Sequence, residues 1–116
     1  MFTAYVVITI TTIVANAWAA AADFSRAEFV LANMAEVGVA EAWLPWLGAL
    51  KAAGVVGLLI GLLGVRPLGT AAAIGLVLFF IGALVTHVRA RVFSNIAFPG
   101  FYFALAVASL VLSATR

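Results

Sequence analysis

The chain contains no cysteine. That absence removes disulfides, thiol redox relays, iron–sulfur clusters and covalently attached haem. Histidine is nearly absent as well, with His87 alone. A zinc site within one chain would have to join His87 to carboxylates only, which is not an ordinary zinc ligand set, so no metal site is expected. A b-type haem held by two histidines would need two chains. Charge is scarce: six Lys and Arg and four Asp and Glu among 116 residues, 9 % in all, against about 25 % in an average soluble domain. No basic run exists that could neutralise a phosphate backbone, so nucleic acid is not an expected partner although the pI is near 9.7.

What the chain does have is apolar. The hydrophobic fraction is 67 % and the mean hydropathy +1.29. A chain of this length buries only part of its surface on folding and could not hide so much apolar side chain from water. The same figures exclude intrinsic disorder. An integral membrane protein remains, and the bilayer is its first partner.

Charges mark the span boundaries. Residues 1–22 carry none, and residues 23–41 hold all four acids together with Arg26. Residues 42–64 are apolar apart from Lys51, Arg66 and Pro67 form a short break, residues 67–88 lack formal charge, and residues 95–115 are again uncharged. Crossing a core of about 30 Å takes about 20 apolar residues. Four segments reach that length, which predicts an all-α, single-domain transmembrane four-helix bundle over residues 1–116 with both termini on one side. Continuous rather than alternating apolar runs exclude a transmembrane barrel. Ala15-Asn16-Ala17 looks like a signal-peptidase site, but the segment has no positive n-region and reads as a retained helix.

The long first loop has a pattern of its own. Ser25-Arg26-Ala27-Glu28 matches a capping box and Gly38 is a natural stop. Between them Ala27, Val30, Leu31, Met34 and Val37 share one helical face, with Arg26, Asn33 and Glu36 towards another. The pattern predicts an amphipathic helix over about residues 25–38, lying on the membrane surface; Phe29 falls on its polar side and fits neither that helix nor a plain polar loop. Trp18, Trp43 and Trp46 sit at the same membrane level, as in an aromatic belt. Lys and Arg number two on the side of the termini (Arg66, Arg116) against three on the other (Arg26, Arg89, Arg91), or four with Lys51. That balance leans towards termini outside.

Two stripes describe how the helices should meet. On the first, Tyr5, Thr9, Thr12 and Asn16 lie within roughly 60° of arc, and Asp23 continues the line. Polar groups are costly against lipid, so this face should turn into the bundle, either to bond other helices or as one wall of a polar pocket. The second helix carries Gly54, Gly57, Gly61 and Gly64, a packing face that lets backbones approach closely and would also suit a homodimer or homotrimer.

Lys51 lies eight residues after Trp43, about 12 Å into its segment at 1.5 Å per residue. A mid-membrane ammonium costs at least ~2.5–3.5 kcal/mol and is a functional-site hypothesis by default. The alternatives are snorkelling back to Trp43 and Trp46 or a structural ion pair. By depth, Asn16, Asp23, Lys51, His87, Arg91 and Asn95 gather at one mouth of the bundle. Asn16, Lys51, His87, Arg91 and Asn95 are the candidate ligand-binding residues; Asp23, Lys51 and His87 are the candidates for chemistry.

Three stretches carry a family resemblance: LGALKAAG at residues 47–54 running into Gly57, VTHVR at residues 85–89, and NIAFP at residues 95–99. The chain resembles the DoxX-like family, small bacterial four-helix membrane proteins, over nearly its whole length, with Thr86-His87 followed by Asn95 and Pro99 the most distinctive part. Relatives often carry glutamate where this chain has Lys51, so a role for that acid does not transfer. The resemblance implies a location in the bacterial inner membrane and a link to membrane redox systems, the family name coming from a subunit of a thiosulfate:quinone oxidoreductase.

Three functions follow, in order of preference. The first is an accessory membrane subunit, with a membrane or peripheral redox partner, that binds a quinone or similar lipid-soluble molecule. It predicts an apolar pocket near Lys51 and His87, which with Asn95 would supply hydrogen bonds to quinone oxygens. The second is an acid–base enzyme of isomerase or cyclase type acting on a lipidic substrate, with Asp23 or His87 as base and Lys51 as electrostatic stabiliser. The third is a small transporter, although the small multidrug exporters rely on an acid within helix 1 and this chain has none before Asp23.

Overall fold

The computed structural model describes residues 2–94 and 96–115. Five α-helices account for most of them: α1 (Phe2–Phe24), α2 (Glu28–Val37), α3 (Leu44–Leu62), α4 (Arg66–Arg89) and α5 (Ala97–Thr115), with one 3-10 turn at Glu41–Trp43 before α3. Four helices are long and apolar enough to cross a membrane: α1, α3 with its preceding turn, α4 and α5. Each packs on two neighbours in the cyclic order α1–α3–α4–α5, every neighbouring pair antiparallel, while α2 lies over one end. Phe2 and Thr115 therefore share the end opposite α2.

The helices stop where the chain can turn left-handed. Gly38, at φ 75°, ends α2, and the Val39 N–H reaches back to the Met34 carbonyl. Gly64, at φ 129°, ends α3 in the same manner, with Val65 bonded to Ile60. Arginines occupy the equivalent position after α1 and α4: Arg26 at φ 56° and Arg91 at φ 58°. The 6→1 bonds Ala27 to Ala22 and Val92 to His87 close these two ends.

This geometry corrects the expected start of the amphipathic helix. The N–H groups of Ser25, Arg26 and Ala27 are taken by the last carbonyls of α1, and the Ser25 hydroxyl donates to the Ala22 carbonyl at 3.2 Å. Ser25 thus finishes α1 instead of capping α2, which begins at Glu28 without a side-chain cap. The first helix runs to Phe24, past the expected limit near residue 22, and its Asp23 finds a cation within the bundle.

Interhelical contacts follow the two stripes. Tyr5, Thr9, Thr12, Asn16 and Asp23 are all buried. The Thr12 and Ser109 hydroxyls meet at 2.8 Å between α1 and α5, and those of Thr70 and Ser113 at 2.6 Å between α4 and α5. On α3, glycine permits contact that no larger residue would. A methyl on Gly61 would stand 2.5 Å from the Gly69 Cα, one on Gly57 2.6 Å from the Ala72 Cβ, and one on Gly54 2.7 Å from a Leu76 methyl. Gly64 departs from the expected packing face: a Cβ there meets nothing within 4 Å, and the residue serves only the turn. Leu58, Ala73, Leu76, Phe80, Tyr102 and Ala106, with Ala19, form the apolar core.

Candidate functional site

The glycine seam sets the register of α3 against α4 and also ends it. Continued beyond Gly54 and Leu76, that register brings Lys51 level with Phe79 and Leu47 with Ala83. Past the seam, a cavity of about 680 Å³ lies among all the helices at the α2 end. Its wall is largely apolar and aromatic. A run of rings joins its elements: Trp18 stacks on Phe29 with centroids 5.6 Å apart, Phe98 stacks on Tyr102 at 5.2 Å, and Phe80 follows Tyr102 at 5.4 Å.

Helix α2 covers this space. Val30, Met34 and Val37 of its apolar face, together with Phe29, line the cavity, and Met34 is buried. The amphipathic face read from the sequence is therefore turned onto a hollow in the protein. Phe29, which fitted neither the expected helix nor a loop, holds the cover in place by its stack on Trp18. Arg26 and Glu41 pair at 3.0 Å across the two ends of the covering segment, an exposed contact of small energetic weight.

Polar groups in the wall are few. Lys51 Nζ lies 2.8 Å from Asp23 Oδ2, with both side chains shielded, and 5.3 Å from the centre of the Phe79 ring. Gly48 makes room for the pair, since a methyl there would come within 3.2 Å of the Asp23 Cβ. Lys51 is thus neither lipid-facing nor snorkelling: an opposite charge on the neighbouring helix compensates it. His87, 4 % exposed, sits near the end of α4. Its Nδ1 lies 2.8 Å from the Ala83 carbonyl, while Nε2 is buried without a hydrogen-bond partner among the described residues. A carbonyl only accepts, so Nδ1 carries the proton, and in the neutral ring Nε2 is a bare lone pair.

The structure brings Asp23, Lys51 and His87 to one cavity. It leaves two other candidates outside. Asn16 is fully buried lower in α1, where its amide donates to the Thr12 carbonyl at 3.0 Å and its Oδ1 is unpartnered. Arg91 is exposed, because its left-handed backbone belongs to the turn that ends α4. Asn95 lies outside the described residues. Among the described residues no group of three His, Asp or Glu could hold a metal ion.

The model of the DoxX-like family matches residues 7–109. The chain belongs to the DoxX-like family. No curated protein and no solved structure matches it. With its four spans, this DoxX-like chain is a multi-pass integral membrane protein.

Several wall residues of the DoxX-like cavity had no chemical signal in the sequence. Phe79, Phe80, Phe98 and Tyr102 read only as apolar span residues, and the three tryptophans as belt residues, yet all line the cavity. Tyr102 had one usable clue: a buried phenol needs a partner, and its hydroxyl donates to the Ala15 carbonyl on α1 at 2.9 Å.

Proposed function

We propose that this DoxX-like protein binds a quinone or another lipid-soluble small molecule in the cavity beneath α2, as an accessory subunit of a redox system of the bacterial inner membrane. One observation carries the reading: an aromatic-walled cavity of about 680 Å³ among the helices has Asp23, Lys51 and His87 in its lining. An apolar cavity with a few polar side chains in its wall is the ordinary form of a site for a small apolar molecule. The rings of Trp18, Phe29, Phe98, Tyr102 and Phe80, stacked in the pairs Trp18–Phe29 and Phe98–Tyr102, offer apolar surface to a planar head group.

Mass spectrometry of small molecules that co-purify in mild detergent tests it, on wild type, Lys51→Ala and His87→Ala. A quinone present on wild type and missing from both variants is the expected result. Only bulk phospholipid on all three would overturn it. The lone pair of His87 also favours a second reading, an acid–base enzyme on a lipidic substrate. In that case His87 is the base, since Asp23 is already bonded to Lys51.

A further inference from the structure

We infer that the cavity opens sideways into the bilayer between α3 and α4, with Gly82 at the opening, and that its ligand is a lipid whose long apolar chain leaves the cavity there. The inference rests on the reading of the cavity as a ligand site and adds the class of ligand and its route.

The seam between α3 and α4 is closed as far as Gly54. Gly54, Gly57 and Gly61 are all buried. Leu50 continues their stripe one turn further on the same face of α3. It is nevertheless 55 % exposed, and it is also a wall residue of the cavity. On α4, Gly82 is likewise both exposed and part of the wall, and a Cβ there would meet nothing within 4 Å. The register that sets Gly54 against Leu76 puts Gly82 level with Gly48, within one turn of Leu50. Residues that belong to the wall and to the outer surface together mark where the hollow reaches the outside.

The other side of the cavity differs. Trp18, Phe29 and Phe98 also reach the surface, but their ring centroids lie 5.6, 6.3 and 6.5 Å apart, so the three rings touch across α1, α2 and α5. Between α3 and α4 the position that could supply such a ring is a glycine.

Depth gives the chemistry of what passes. Leu50 lies six residues into α3 and Gly82 seven residues before the end of α4, about 10 Å inside each helix at 1.5 Å per residue. What lies outside at that level is hydrocarbon. The borders, Leu50, Trp46 and Gly82, carry no charge. A polar or compact molecule gains nothing from such an opening. A lipid can keep its head among Asp23, Lys51 and His87 and its chain among the acyl chains of the bilayer.

The test titrates a long-chain ubiquinone and its tail-less parent benzoquinone against the detergent-solubilised full chain by native mass spectrometry, on wild type, Gly82→Leu and Gly75→Leu. Gly75 is exposed, has the same free space for a Cβ and lies outside the wall, seven residues away on the same helix, so it controls for a leucine on the surface of α4. Gly82→Leu should weaken the long-chain probe about tenfold or more and the tail-less one less than about twofold, the cost of forcing a chain past an added side chain. Its thermal midpoint should not fall, because leucine is the better helix former. Leu50→Trp, at the facing border, carries the comparison if it does. Gly75→Leu should bind both probes as wild type does. Undiminished binding of the long-chain probe by Gly82→Leu, an equal loss of both probes, the same loss in Gly75→Leu, or a wild type that takes only the tail-less probe would each overturn the lateral opening while leaving a ligand site in place. Binding of neither probe by wild type would overturn both this inference and the reading beneath it.

Discussion

Two residues of the wall, Asp23 on α1 and Lys51 on α3, are charged groups in membrane-spanning helices. Apart they would each be expensive. At 2.8 Å, with side chains 4 % and 14 % exposed, they neutralise one another, and the cost falls on whichever is left alone. Lys51→Met should therefore destabilise the protein by about 3–5 kcal/mol through the stranded carboxylate. Adding Asp23→Asn should recover most of that loss, as read from the thermal unfolding midpoint in detergent. Equal midpoints for the single and double variants would show that the stranded carboxylate is not the source of the loss. The pair was half legible in the sequence: Lys51 stood out by its depth and Asp23 by its place on the polar stripe. That they face each other depends on the register of α1 against α3, which no spacing within either segment encodes.

Among the elements, the α3–α4 hairpin is held by backbone contact near its turn and by side-chain contact nearer the cavity. The two effects separate by residue. At Gly61 a methyl meets the backbone of Gly69, which cannot yield, whereas at Gly54 it meets a Leu76 methyl that can rotate. Gly61→Ala should cost about 1–3 kcal/mol, with Gly54→Ala near the lower end of that range. Equal losses in a thermal stability assay would place the tight contact elsewhere. The glycine stripe itself was legible from its spacing, but the separate duty of Gly64 was not, because a turn glycine and a packing glycine look alike in one dimension. Helix α2 shows the same limit. Its apolar face was plain in the sequence, and a membrane surface and a hollow in the protein ask for the same pattern. The placement of Val30, Met34 and Val37 on the cavity wall shows that this face covers the hollow.

For the molecule as a whole, four antiparallel spans place Phe2 and Thr115 at one end and the covered cavity at the other. With no native cysteine to interfere, single cysteines report sidedness directly. Thr3→Cys and Thr115→Cys should react with a membrane-impermeant maleimide from the same face of sealed vesicles, and Glu36→Cys from the opposite face. Labelling of the first two from different faces would overturn the four-span arrangement. Composition and the spacing of charges determined this much alone: lipid admits only structures that satisfy their own backbone, and four apolar runs of sufficient length, one of them holding Lys51, leave few arrangements. The glycine and polar stripes added which faces turn inward. The tertiary structure decided which inward groups meet. Asp23 and Lys51 became a compensated pair, Asn16 was buried away from the cavity, Arg91 was committed to a turn, and His87 was left with an unpartnered nitrogen at an aromatic-walled hollow. Those outcomes depend on interhelical register and rotation, which arise from contacts between distant segments.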